Sequence, residues 1–214
     1  MQVSVTVFDV RENRREWKET IKPEMAEHLV FLDESGVNTN LTRLYGRAPS
    51  SQRAVDHAPL NMPWTTTALS SIRLDGEKAF TTYQDGTTGE RFVQYLKETL
   101  LPALRPGNIV VMDNMRSHHV KAVREILEAK GMKALYLPPY SPGLNPNEKM
   151  WSTMKAILRC WKIRSFDLLP DAIQKAPSCV SPLDCSHWFT ASDYCAEGRY
   201  DNHFKGGRTR ERLD

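Results

Sequence analysis

Short apolar runs dominate the first half of the chain and predict strands. HLVFLDESG, from residue 28, is a continuous apolar run that ends at Asp33, which is typical of a buried strand. The next segments, TRLYGRAP and TTTALSSIRLDG, alternate between apolar and polar residues, and KAFTTYQDG adds a further strand. The pattern therefore predicts an antiparallel group of strands before residue 87.

Helices and strands alternate in the second half. TGERFVQYLKETLLPAL carries an apolar stripe at helical spacing, and NIVVMDN is the clearest strand, ending at Asp113. SHHVKAVREILEAKG predicts a helix with Ser117 as its N-cap and Gly131 as its stop. This order favours an α/β fold with a mixed sheet flanked by helices on both faces.

The remaining segments lie before the first strand or near the C-terminus. KALYLPP predicts a last strand, and a helix follows from about Pro146 to Trp161. Residues 11–27 predict a surface helix broken near Pro23. A final helix near LLPDAIQKA leads into a region that we expect to be irregular.

Glu148 follows a proline-rich turn, LPPYSPGLNPNEKMW, at the start of the long helix. With Asn145 as N-cap and Pro146 in the first turn, Glu148 completes a capping box, which explains its position without any function. An apolar stripe of Met150, Met154, Ile157, Leu158 and Trp161 defines the buried face of this helix. At about 100° per residue, Glu148 lies roughly 140° from the centre of that stripe, so it faces water, a cleft or a ligand.

Three carboxylates suit a divalent metal site. Asp33 and Asp113 each end an apolar strand, and ligands of open α/β sheets gather at those ends. Together with Glu148 they could form an oxygen cage for Mg²⁺ or Mn²⁺, and two such ions catalyse phosphodiester displacement. The alternative is structural, because aspartates also start turns after strands.

Composition narrows the class of protein. Hydrophobic residues make up 40% and charged residues 26%, as in a globular protein with a core, and no apolar run reaches the roughly 18 residues of a membrane span. Without a signal peptide pattern, the four cysteines indicate free thiols in a reducing, cytoplasmic setting. A zinc site is the alternative, with irregular spacing, and would use Cys179, Cys185, His187 and Cys195.

With FLDESG, VVMDNMRSHH and LPPYSPGLNPNEKMW taken together, residues 28–165 resemble a DDE transposase of the bacterial insertion-sequence branch of the mariner superfamily. The third block is the most specific, and Asp113 and Glu148 enclose 34 residues, which is typical of that superfamily. Two flanking positions depart from the pattern, since Gly143 replaces an acidic residue and Asn147 an apolar one.

The resemblance implies a ribonuclease H-like fold and a catalytic triad of Asp33, Asp113 and Glu148 that binds two Mg²⁺ or Mn²⁺ ions. It further implies cleavage of double-stranded DNA at transposon terminal inverted repeats, followed by strand transfer into target DNA. Asn114 and His118 match a supporting pattern after the second aspartate, although His118 also suits a polar helix start.

Basic and aromatic residues suggest DNA contacts. The chain has a net charge of +3, which permits an anionic partner. Lys155 and Arg159 share the Glu148 side of the helix and suit phosphate contacts, or form a solvated face. Trp64 could stack on a base, or pack at the edge of the core.

The resemblance divides the chain into a helical lead-in (1–27), a catalytic domain (28–165) and a C-terminal helix with a basic tail (166–214). Related transposases carry helix-turn-helix modules before the catalytic domain, which this sequence lacks. We therefore expect a homodimer, or association with a helix-turn-helix polypeptide encoded by a separate frame. The alternatives are a truncated, non-catalytic remnant that regulates a full-length transposase, or a host nuclease of the same fold.

Overall fold

A five-stranded mixed sheet forms the centre of the molecule in a computed structural model, which describes residues 7–43, 45–60, 65–114 and 121–195. The strand order is β3-β2-β1-β4-β5. The first three strands pair antiparallel, whereas β1, β4 and β5 pair parallel. The expected mixed sheet is confirmed, with these strands: β1 (Leu29–Val37), β2 (Thr66–Arg73), β3 (Lys78–Gln84), β4 (Ile109–Met112) and β5 (Lys133–Tyr136).

Helices fill the segments between and around these strands. Short 3₁₀ turns at Pro23–His28, Pro142–Leu144 and Ala176–Cys179 join them. In the described part of the chain, no helix has the length and apolarity that crossing a membrane requires. The helices are α1 (Val7–Thr20), α2 (Gly89–Tyr95), which continues through a π-helical turn (Leu96–Leu100) into α3 (Leu101–Ala103), α4 (Lys121–Glu128), α5 (Pro146–Trp161), α6 (Leu169–Lys175) and α7 (Pro182–Thr190).

Side-chain alternation in the central strand divides the core between the two faces of the sheet. Leu29 and Phe31 of β1 pack with residues of α5, α6 and α7, whereas Val30 and Leu32 pack with residues of α2 and α4. Because both faces of β1 are covered, its sequence is a continuous apolar run, as predicted. The face that carries α5 also carries the candidate site.

Two predictions about the helices succeed at the level of single residues. Helix α5 has the predicted bounds, and Asn145 is its N-cap. After α4, Gly131 has a φ of 70°, a left-handed conformation that ends the helix as expected. Ser117, the predicted N-cap, lies outside the described residues.

Three predictions are wrong. TRLYGRAP forms no strand in its described part, because β2 lies directly between β1 and β3 and leaves no place for another strand. The C-terminal region, expected to be irregular, contains α7, whose capping box of Ser181 and Asp184 was readable in the sequence SPLD. Trp161 is 40% exposed, and Trp151 is the tryptophan of α5 that is buried.

Candidate active site

The strand register brings Asp33 and Asp113 together. Strands β1 and β4 are parallel, with Phe31 paired to Val111, and each aspartate lies two residues beyond that pair. The same two-residue step gives both aspartates the sheet face of Phe31 and Val111, which is the face covered by α5. The two carboxylates are therefore neighbours at the carboxyl end of the parallel strands.

Helix α5 docks onto this pair through its first residues. Asn145 Nδ2 donates a hydrogen bond of 2.9 Å to Asp33 Oδ2, and Trp151 Nε1 donates one of 3.2 Å to the same oxygen. Asn147, fully buried, donates from Nδ2 to the carbonyl oxygen of Phe31 at 2.7 Å. These three bonds fix the start of the helix, and therefore Glu148, against the central strand.

The cap of α5 differs from the predicted capping box. The Asn145 side chain accepts a hydrogen bond from the backbone N–H of Asn147 at 3.1 Å. The backbone N–H of Asn145, which Glu148 would need to complete the box, donates to Pro142 at 3.0 Å. The prediction that Glu148 completes a capping box is therefore wrong. Glu148 is exposed, as the helical wheel predicted.

Asp33, Asp113 and Glu148 line one cleft of about 480 Å³. Asn114 and Asn145 line it as well, so the predicted supporting role of Asn114 is compatible with its place. His118 lies outside the described residues. Lys155 and Arg159 are half-buried further along α5 and are not among the lining residues. The proline-rich segment also lines the cleft, with Leu137, Pro138, Pro139, Tyr140, Ser141 and Pro142.

The cleft opposes ionisation of Asp33. The pKa of this carboxyl is raised to about 7, chiefly by burial and also by the negative charges of Glu148 and Asp113. Hydrogen bonds from the Glu34 N–H, at 2.8 Å, and from Trp151 lower the pKa and so only partly offset these effects. Asp33 is thus a buried acid that a nearby cation would convert to the carboxylate.

The donor set suits a hard divalent cation. Carboxylate and amide oxygens are the ligands that Mg²⁺ and Mn²⁺ prefer, and a cation here would relieve the repulsion around Asp33. Within the described ranges, no three His, Cys, Asp or Glu side chains come close enough to hold one metal ion by themselves. Within the same described ranges, the four residues considered for a zinc site do not form such a group either. Of them, Cys179 is exposed and Cys185 is buried. A magnesium ion commonly completes its shell with water and substrate phosphate oxygens.

Sequence reasoning missed the residues that hold the site in place. Asn147 was noted only as a departure from a family pattern, and Trp151 was not selected. The sequence signal that could have identified Asn147 and Trp151 is their position, because both lie within one helical turn of Glu148. Their partners are more than a hundred residues away in β1, and only the folded chain reveals them.

A comparison with protein-family models matches residues 28–169 to the DDE superfamily endonuclease family. The chain belongs to this family. The predicted relationship is thereby confirmed at the level of the DDE superfamily. No curated protein matches the sequence significantly.

Solved structures similar to this DDE endonuclease chain include complexes of Mos1 transposase. The Mos1 paired-end complex with left transposon end matches 90% of this chain with a TM-score of 0.70 at 18% identity. The mariner Mos1 paired end complex with Mg matches 91% with a TM-score of 0.71 at 17% identity. This chain spans 62% of the length of each of those chains.

The catalytic domain of Mos1 mariner transposase, solved without its other parts, is a further match. It covers 90% of this chain and 92% of its own, with a TM-score of 0.64 at 14% identity. At such identities the likeness establishes the fold, which is ribonuclease H-like as the resemblance implied.

Proposed function

We propose that this chain is the catalytic domain of a transposase that cuts DNA at transposon ends and joins the freed end to target DNA. One observation carries the proposal: in a DDE superfamily endonuclease, Asp33, Asp113 and Glu148 come from three separate elements and line one cleft. The similarity to Mos1 complexes with transposon DNA supports the same reaction.

Asp33, Asp113 and Glu148 would hold Mg²⁺ or Mn²⁺, and structures of Mos1 with both metals support this choice. Two bound ions would activate the attacking water or 3′-hydroxyl and stabilise the leaving oxygen. The protein's part is to place the three carboxylates and to keep Asp33 ready to lose its proton when a cation enters. Asn145 and Trp151 act as positioning residues, because both donate to Asp33 Oδ2 and so orient that carboxyl group.

The substrate strand would extend from the cleft along α5. Lys155 and Arg159 lie seven and eleven residues after Glu148, or about 10 and 17 Å along the helix axis. Both are too far from the cleft to touch the scissile bond, and both suit contacts to phosphates further along the strand.

The finer assignments belong to this proposal too. The chain would belong to the bacterial insertion-sequence branch, and its catalytic domain would extend from about residue 28 to about residue 165. It would act as a homodimer, or with a helix-turn-helix partner that recognises the transposon ends. DNA immediately upstream of the codon for Met1 would show whether an overlapping frame encodes such a partner.

Asp113→Ala provides the direct test of catalysis. Loss of one carboxylate from the cleft should reduce Mn²⁺-dependent joining of a pre-cut transposon end on the order of a thousandfold, since metal activation contributes several kcal/mol. Glu128→Ala is the control, because it removes an exposed carboxylate of α4 from the other face of the sheet. Circular dichroism should show that both variants remain folded.

Other outcomes would favour other functions. Joining that persists in folded Asp113→Ala protein would refute the mechanism. Absence of metal-dependent cleavage in the wild type, together with dimerisation with a full-length transposase, would indicate the regulatory remnant. Cleavage of RNA–DNA hybrids in excess of transposon ends would indicate a host nuclease.

A further inference from the structure

A second cleft, distinct from the one that holds the three carboxylates, lies between α1 and the turn before α5. Its volume is about 410 Å³, and four cations of α1 line one side. Gly143, Leu144 and Asp193 line it as well. The basic residues, which we call the α1 basic cluster, are Arg11, Arg14, Arg15 and Lys18.

Only part of this positive charge is neutralised by nearby acids. Arg15 pairs with Glu12 and Glu19, and Lys18 pairs with Asp193. Among the ion pairs of the described residues, none includes Arg11 or Arg14. Two guanidinium groups that line the cleft therefore have no paired acid among the described residues.

Arg14 also has an unused donor inside the protein. Its Nε is buried and, among the residues that the structure describes, has no hydrogen-bond partner. A buried donor without an acceptor is costly, and such groups are rare in folded proteins. At the other end of the same guanidinium group, Nη2 lies beside Gly143 at the cleft, where an oxyanion can accept a hydrogen bond from it, and guanidinium is the side chain best suited to phosphate.

The second cleft shares a turn with the active-site cleft. Pro142 and Asn145 line the carboxylate cleft, whereas Gly143 and Leu144 line the basic one. Because consecutive Cα atoms are only about 3.8 Å apart, the two clefts are adjacent at this turn. A polyanionic strand that reaches the carboxylates can therefore also reach the α1 basic cluster.

We propose that the α1 basic cluster binds a backbone phosphate of the DNA strand whose scissile bond lies at the carboxylates. The proposal rests on the proposed function for the identity of the strand, and adds a phosphate site outside the catalytic cleft. Arg14 and Arg11 contact the phosphate, and the Gly143 backbone lets the strand approach closely. Binding at this site sets the position of the DNA relative to the turn that carries Asn145.

Charge removal tests the proposal without any metal. Binding of a duplex transposon end is measured by fluorescence anisotropy in EDTA over a range of salt concentrations. Arg11→Ala/Arg14→Ala should weaken binding at least about tenfold near 0.1 M salt and reduce the slope of log K against log salt by roughly 0.9, the value for one lost phosphate contact.

The matched control removes the same charge elsewhere. Lys121→Ala/Arg124→Ala also lowers the net charge by two, but it alters α4 on the opposite face of the sheet, where each cation already pairs with a glutamate. Equal loss of affinity in both double variants would mean that only overall charge matters, and would overturn the proposal.

Gly143 permits a second test that leaves the arginines intact. A β-carbon added at Gly143 would lie 3.3 Å from Arg14 Nη2, the mobile end of a flexible side chain. Gly143→Asp therefore places a carboxylate where the phosphate binds, whereas Gly143→Asn adds the same volume without charge. The aspartate variant should bind the duplex at least about tenfold more weakly than the asparagine variant.

Two further outcomes identify the ligand and separate this proposal from the catalytic one. Inorganic phosphate should compete with the duplex in the wild type and much less in Arg11→Ala/Arg14→Ala. If all of these variants bind the duplex as tightly as the wild type does, the proposal is overturned, even if the wild type cleaves DNA. Conversely, selective loss of binding in a protein that never cleaves DNA would support the phosphate site and refute the proposed function.

Discussion

At the scale of single residues, Asp33 shows how folding changes the chemistry of an ordinary side chain. Only 6% of its surface is exposed, and two other carboxylates raise its pKa in addition to burial. In the unfolded chain the same carboxyl group titrates near 3.8. Folding therefore shifts the protonation equilibrium of Asp33 to near neutrality in the cleft that the three carboxylates line.

Asp33→Asn should change how stability depends on pH. Because folding raises the pKa of Asp33 to about 7, the folded wild type holds this proton more tightly than the unfolded chain does. The resulting stabilisation of the folded state is complete below pH 4 and is lost as pH rises through 7. The uncharged asparagine avoids that loss, so in EDTA the variant should gain up to roughly 4 kcal/mol relative to wild type between pH 4 and 8. Urea unfolding across this range measures the difference, and a gap that stays constant with pH would contradict the prediction.

Asn147 shows how a departure from a family pattern acquires a structural explanation. It is fully buried, its amide donates to the Phe31 carbonyl oxygen, and it follows Asn145 and Pro146 in the first turn of α5. An apolar residue at this position would pack against the strand without that bond. Here the first turn is instead attached to β1 by hydrogen bonds.

At the scale of elements, the junction between β1 and α5 is the main structural support of the site. Asn145 serves both elements, since its oxygen caps α5 and its amide nitrogen donates to Asp33 in β1. Behind it, Met150, Met154 and Leu158 bury the helix against the sheet. The helix cap and the orientation of the carboxylate are therefore one arrangement.

Asn145→Ala should affect both stability and catalysis. Loss of the cap and of the bond to Asp33 should cost about 1–3 kcal/mol of unfolding free energy and reduce Mn²⁺-dependent cleavage by at least about tenfold. Ser181→Ala removes a comparable N-cap from α7, away from the cleft. That control should lower the melting temperature without affecting cleavage by the remaining folded protein. Equal cleavage in both variants would show that Asn145 acts only as a cap.

At the scale of the whole molecule, distant parts of the chain support the turn that separates the two clefts. Trp17 Nε1 of α1 donates to the Tyr194 hydroxyl at 3.0 Å, and that hydroxyl donates to the Leu144 carbonyl oxygen at 2.6 Å. Tyr194 is buried and packs against Phe31 and Phe189. Residues before β1 and after α6 thus share the core that carries the site.

Tyr194→Phe should loosen this turn while preserving the aromatic packing. Two buried hydrogen bonds are lost, so the unfolding free energy should fall by about 1–3 kcal/mol, and cleavage should fall severalfold at temperatures where the protein stays folded. Tyr83→Phe is the control, because it removes a hydrogen bond to the Arg91 carbonyl oxygen, away from the turn. If both variants cleave DNA as well as wild type, the turn does not depend on Tyr194.

Elements with strong local signals were predictable from the sequence. The apolar runs of β1 and β4, the bounds of α5 and the stop at Gly131 depend on neighbouring residues alone, and all were correct. The additional strand in TRLYGRAP failed because alternation shows that a segment can pair, but not that the sheet has a place for it. The same limit applied to Trp151 and Trp161, because helical periodicity does not show how far along a helix the core extends.

The sequence by itself determined which residue types could do chemistry here: two aspartates at strand ends and a glutamate in the first turn of a helix. Interactions between residues close in sequence are sufficient to place these three acids, because apolar runs, helix caps and prolines act over a few residues. Tertiary structure decided that these carboxylates share one cleft, that Asn145, Asn147 and Trp151 hold them, and that α1 places a basic cleft behind the same turn. The hydrogen bonds that hold the site join positions up to 118 residues apart, and their energies arise only once the sheet has fixed its register.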